Sequence, residues 1–131
     1  MLAVKHIALT LFALVLLAAQ AAAADRCMQF DGPQQIAEGR LVIGHFKDAA
    51  DRPETAYILR LPVATCLSAK HPEFRVERTR TIHVYSSDDK VRARIGRFVG
   101  KDVMVRGRPF GAHTAHHHAP IVMDISEIDA I

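Results

Sequence analysis

The run GAHTAHHHAP, residues 111–120, gathers His113, His116, His117 and His118, half of the eight histidines in this 131-residue chain. Neutral imidazole is the commonest protein ligand for zinc, copper and nickel. If the run is extended, His116 and His118 point one way and His117 the other. That makes His113, His116 and His118 the candidate metal ligands, for zinc or copper, provided His113 turns back to complete the set. His45 is a distant fourth candidate, and Asp124 would have to be brought in from the following strand. No acid lies within the run itself. The same residues support a structural reading, in which imidazoles beside a turn closed by Pro120 bond backbone groups that the loop leaves unpaired and pack on Phe110. The sequence leaves both readings open.

Catalysis needs an acid, a base and usually a nucleophile. The histidines could serve phosphoester cleavage as acid and base beside Arg106 or Arg108. The carboxylates are scattered, however, and Ser86 and Ser87 suit a helix cap better than an activated nucleophile. The expectation is therefore a protein that is not an enzyme, with a small phosphoesterase as the outlying alternative. Lys90, Arg94, Arg97 and Lys101 recur at helical spacing and form a basic stripe. No aromatic residues interleave to stack on bases, which argues against a nucleic-acid partner and for an exposed face paired with Asp88, Asp89 and Asp102.

The first residues bound the compartment. Lys5 and His6 precede an apolar run from Ile7 to Ala19, and Ala22-Ala23-Ala24 stand before Asp25. This is the layout of a secretory signal peptide spanning residues 1–24, with an apolar run short for a membrane span. The expected location is periplasmic or secreted, with no stable membrane span after cleavage. Residues 25–131 then form one small domain of net charge +2, because only Lys5 of the 17 basic residues is lost against 14 acids. Cys27 and Cys66 both lie in that part, and a pair of cysteines in an oxidising compartment reads as a disulfide, with metal-binding thiolates as the alternative.

The elements that must position these groups follow from periodicity. Residues 36–46 alternate as a first strand whose Gly44 permits a bend or bulge, followed by the polar loop KDAADRPET. A second strand, AYILRL, ends at Pro62, with Tyr57, Leu59 and Leu61 on one face. Residues 78–85 form a third strand, with His83 opposite Ile82 and Val84. Val91, Ile95, Phe98 and Val99 then recur at helical spacing, with Ser86 as the N-cap candidate and Gly100 as the stop. Two further strands surround Val103 to Val105 and Ile121 to Ile125. Three strands, one helix and two strands describe a mainly β domain, a small five-stranded OB-like barrel with one short helix between strands three and four. Such barrels bind ligands in the loops joining strands one to two and four to five. Here those are the KDAADRPET loop and the histidine run. His116, His117, Arg106, Tyr57 and His45 are accordingly the candidate ligand-binding residues.

The early Cys27, GRLVIGHF, ETAYILRLPVATC, GKDVMVRGRPF and the AHTAHHHAPIVMDISEI end together resemble an uncharacterised family of small exported bacterial domains of unknown function. The likeness covers nearly all of residues 25–131. It is most specific in the histidine segment, where relatives carry a Thr-Gly-His-His-His-Thr-Pro-like string and this chain has Ala115 and Ala119. The resemblance implies export, one compact β-rich domain and a characteristic His turn, and no established activity. The resulting expectation is an exported binding or structural module for an unknown protein, glycan or small ligand, with a periplasmic zinc- or copper-binding protein as the alternative.

Overall fold

The computed structural model describes residues 26–131; the expected signal peptide lies outside the described residues. The chain runs β1 (Met28–Gln29), β2 (Gln35–Lys47), β3 (Pro53–Ser68), a 3-10 turn (Pro72–Phe74), β4 (Val76–Tyr85), α1 (Asp89–Ile95), a second 3-10 turn (Gly96–Phe98), β5 (Asp102–Gly111) and β6 (Ile121–Ala130). β2 pairs antiparallel with β3 and β5, β3 with β4, and β5 with β6; β4 and β6 are parallel. These pairings close a five-stranded barrel with the expected OB-like connectivity. The two-residue β1 is an addition, paired parallel to the end of β3.

Period-two alternation decides what enters the barrel. Leu41, Leu59, Ile82, Val105, Ile121 and Met123 all point inward and are essentially inaccessible to water. Ile95 of α1 is buried against them and caps the barrel, with Tyr57, Val91 and Phe98 packed beside it. Cys27 and Cys66 form a disulfide that ties the start of β1 to β3. Among the described residues no helix is long and apolar enough to cross a membrane.

Four local expectations are corrected. Pro62 does not end the second strand, which runs to Ser68; a register shift between Arg60 and Thr65 absorbs the missing N–H. The helix cap is Asp88, whose carboxylate accepts from the N–H groups of Lys90 and Val91. Ser86 is instead buried and donates to the Ile125 carbonyl at 2.6 Å. Gly44 makes no bulge: a Cβ there would run into the Phe46 ring, so the glycine leaves room for that ring to lie flat on the sheet. Gly100, by contrast, stops the helical segment as expected, with φ of 83°. The basic stripe is not paired as foreseen: Asp88 caps the helix, Asp89 binds Arg92 and Asp102 binds Arg40, neither of them a stripe residue, while Arg94 and Lys101 lie over the Phe98 ring.

Candidate functional site

The outward face of the sheet would normally be polar. Here Val42 of β2, Ile58 of β3 and His83 of β4 stand side by side in register, with Ala56 and Phe46 a step along. Val122 of β6 shares the His83 row and is fully buried although it points out of the barrel. Something must cover this surface, and residues 112–120 do so. The Ala112 N–H donates to the Pro120 carbonyl at 3.0 Å and closes the segment at its base. Thr114 then builds a turn, its carbonyl accepting from His117 N–H and its hydroxyl from His116 N–H. Ala119 is pressed against Ala56 and Ile58, where a small side chain is needed. The histidine run is thus a strap laid over the barrel's outer wall.

Glu54 is the strap's fixed point. Asp48 folds the β2–β3 loop by accepting from the N–H groups of Ala50 and Arg52, both at 2.9 Å, and by pairing with the Arg52 guanidinium. Those bonds, the Arg52 backbone bond first, hold the Asp48 carboxyl below its ordinary range. The loop sets the register that puts Glu54 directly across from Phe46. Glu54 Oε2 accepts from Nε2 of His118 at 2.8 Å, and Oε1 accepts from Nδ1 of His116 at 2.6 Å. These two bonds, the His118 bond first, lower the Glu54 pKa, so the carboxylate is ionised and can only accept. His118 is the buried member, its side chain 8% exposed against 66% for His116. Its ring lies parallel on Phe46, with centroids 4.3 Å apart, and His83 lies on its other side at 5.9 Å.

Two further imidazoles do the opposite job. Nδ1 of His83 accepts the His118 backbone N–H at 3.1 Å, and Nδ1 of His117 accepts the His113 backbone N–H at 3.1 Å. An accepting ring nitrogen carries no proton, so both rings are neutral with the hydrogen on Nε2. Desolvation, followed by the neighbouring His118 and His117, pushes the His83 pKa down to about 4. Burial, followed by the adjacent histidines, lowers that of His117. The His117 ring meets Phe110 and His113 edge-on, at 5.4 and 4.7 Å.

Beside the strap lies a cleft of about 540 Å³, bounded by the β1–β2 turn, the Pro72–Phe74 turn and the end of β5. Phe30 and Phe74 are stacked within it at 4.9 Å, Phe110 and Pro109 face them, and Arg108, Asp31, Glu73 and His113 supply its charged and polar groups. The cleft exists because β5 outruns β2: their last pair is Gln35 with Gly107, which leaves residues 108–111 paired to β6 alone. Pro109, lacking an N–H, is tolerated on such an edge.

The residues singled out from sequence therefore part company. His116 and His118 meet at Glu54, whereas His113 turns to Phe110 and His117, so the three proposed ligands are not gathered about one point. Among the described residues no group of three or more His, Cys, Asp or Glu side chains is arranged to hold a metal ion. Asp124 is engaged elsewhere, accepting from the backbone N–H and the hydroxyl of Ser87. Of the five ligand-binding candidates, His116 and His117 belong to the strap. His45 is exposed beside Thr55, on the face of β2 opposite Phe46. Tyr57 faces into the barrel, its hydroxyl packed against Gly96 of the 3-10 turn after α1. Arg106 lies in mid β5 with Nε 3.3 Å from a Glu127 oxygen, close enough to pair in charge though not aligned as a hydrogen bond.

Sequence reasoning missed Glu54, the role of His83 and the aromatic cleft. Glu54 was legible in principle: a β-hairpin whose loop is residues 48–52 must pair residue 46 with residue 54. Phe30 and Phe74 carry no periodic signal, because both sit in turns.

No curated protein matches the chain. Residues 81–129, which run from the end of β4 through α1, β5 and the strap to the end of β6, match a family described as a domain of unknown function, DUF4431.

Proposed function

We propose that this chain is an exported binding module that turns nothing over, with its ligand site in the cleft at the edge of the histidine strap. The cleft itself carries the reading. Its volume falls within the range of small-molecule sites, and it is mostly apolar with a few polar groups at the rim. The occupant is a small organic molecule with an aromatic or apolar body, inserted among Phe30, Phe74 and Phe110. Arg108, Asp31 and Glu73 put both signs of charge on the rim, so it orients a ligand through local polar contacts. Export is supported by the signal-like residues 1–24 and by the Cys27–Cys66 disulfide, a bond that persists in oxidising compartments. The strap serves as architecture: one ring nitrogen each of His116 and His118 is engaged by Glu54, and one of His117 by the His113 backbone N–H.

The test is an amide NMR titration of the disulfide-bonded chain with a panel of small aromatic and aliphatic compounds that are anionic, neutral or cationic. Saturable shifts confined to residues 30–32, 73–74 and 108–113, and abolished by Phe110→Ala with the barrel intact, are the expected result. Shifts elsewhere, or none across the panel, would overturn the reading. Submicromolar one-to-one zinc or copper binding, lost when His113, His116 and His118 are all changed to Ala in a folded protein, would replace it with a metal-handling role.

A further inference from the structure

Four imidazole contacts shape the strap, three joining it to the barrel and one, between His117 and the His113 N–H, folding it on itself, and they differ in what a proton does to them. Where His116 and His118 meet Glu54, each ring already donates through the nitrogen concerned, so adding a proton to the ring's other nitrogen leaves the contact in place. Where His83 and His117 accept backbone N–H groups, a proton on Nδ1 abolishes the acceptor and sets two N–H donors against each other. The geometry points to an acid-released cover: protonation of His83 unfastens residues 112–120 from β4, protonation of His117 undoes the turn that shapes them, and together they bare the outer wall of the barrel while the barrel stays folded.

The groups facing His83 are His117 and His118 of the strap, Glu54 of β3 and Tyr85 on its own strand. Those facing His117 are His113, His116 and His118 within the strap and His83 of β4. Only Glu54 favours a charge on His83, and burial outweighs it, which sets the His83 step near pH 4. Glu54 titrates in the acid range too, below its ordinary 4.5, and its neutralisation weakens the remaining anchor. Both kinds of fastening are therefore weakened as the pH falls. The wall uncovered is Val42, Phe46, Ala56 and Ile58, an apolar patch that the strap occupies at neutral pH. Among the described residues Ser86 is the one buried polar residue and no histidine or carboxylate belongs to the barrel core, so nothing there titrates in acid. This inference is independent of whether the neighbouring cleft takes a ligand.

The experiment is amide hydrogen exchange, read by NMR from pH 7 to pH 3.5 on the full disulfide-bonded chain and on His83→Asn and His117→Asn. Asparagine keeps an acceptor near the Nδ1 position and does not titrate in this range. At the acid end, after correction for the intrinsic pH dependence of exchange, the His113 and His118 amides are expected to lose protection by about tenfold or more. Amides of Leu41, Leu59 and Val105 should keep theirs, and binding of a hydrophobic dye should rise in step. Each Asn variant should move the release to lower pH, with protection of the barrel amides reporting that it is folded. Strap amides that stay protected until the barrel amides also fail, or Asn variants that release at the wild-type pH, would overturn the inference.

Discussion

The molecule has two buried apolar regions, and they are built on different physics. Inside the barrel, strands contribute aliphatic side chains such as Leu41, Ile82 and Val105, and nothing in the packing depends on a proton. On the outer wall, Val42, Phe46 and Ile58 are covered by a segment with four imidazoles in nine residues, fastened to the barrel by one carboxylate and one neutral ring and folded by a second. The first region owes its stability to area removed from water. The second adds hydrogen bonds whose existence depends on protonation state. One barrel wall therefore has an inner side indifferent to pH and an outer side sensitive to it.

The comparison can be broken most forcefully on the inner side. Replacing Cys27 and Cys66 with Ser releases a loop closed over a sequence separation of 39 residues. The expected loss is about 4 kcal/mol, read by denaturant unfolding. Leu59→Ala opens a cavity in the barrel and should cost about 3 kcal/mol, with the same value at pH 7 and pH 5. A strong pH dependence of that loss would show that core and strap are one cooperative unit.

Smaller changes on the outer side sharpen the contrast. Phe46→Ala removes the ring on which His118 lies and should cost about 1–2 kcal/mol, because Phe46 is only partly buried. The accompanying loss of strap protection should exceed any loss in the barrel. Glu54→Gln should have the smallest effect on global unfolding. Its signature is in the pH profile: with a lowered folded pKa, Glu54 contributes stability at neutral pH that is lost as pH falls through that value. The wild-type and variant curves should therefore converge in acid. His83 adds a second slope with its own window. The unfolded chain binds this proton near pH 6.5 and the folded chain only near pH 4, so stability should fall between those values and level off below them.

How much of this was readable beforehand follows the same division. The inner side was legible because period-two alternation is written in single residues: Leu59 and Leu61 against Ile58, and Ile121, Met123 and Ile125 against Val122. The same patterning yielded the strand–helix order, and the cysteine pair its disulfide. The outer side depends on a loop returning across strands distant in sequence. Glu54 and His118 are 64 residues apart, and no local pattern links them. The run itself announced that His116 and His118 would share a side, which they do, on a carboxylate. His113 was grouped with them by composition, but the turn at Thr114 sends it to Phe110 instead. Tyr57 and His45 were assigned to the site through loop proximity; both share the inward parity of Leu41 and Leu59, but Tyr57 packs against the core while His45, nearer the hairpin loop, is exposed.

The central claim is that the histidine run is a strap whose fastening and internal turn require unprotonated ring nitrogens on His83 and His117. Long-range proton–nitrogen correlation of the histidine rings at neutral pH, with assignments from single His→Asn variants, reads it directly. The account predicts that His83 and His117 each carry their proton on Nε2, leaving Nδ1 free to accept, and that His116 carries one on Nδ1 against Glu54. A protonated Nδ1 on His83 or His117, or four rings averaging as free imidazole, would contradict it.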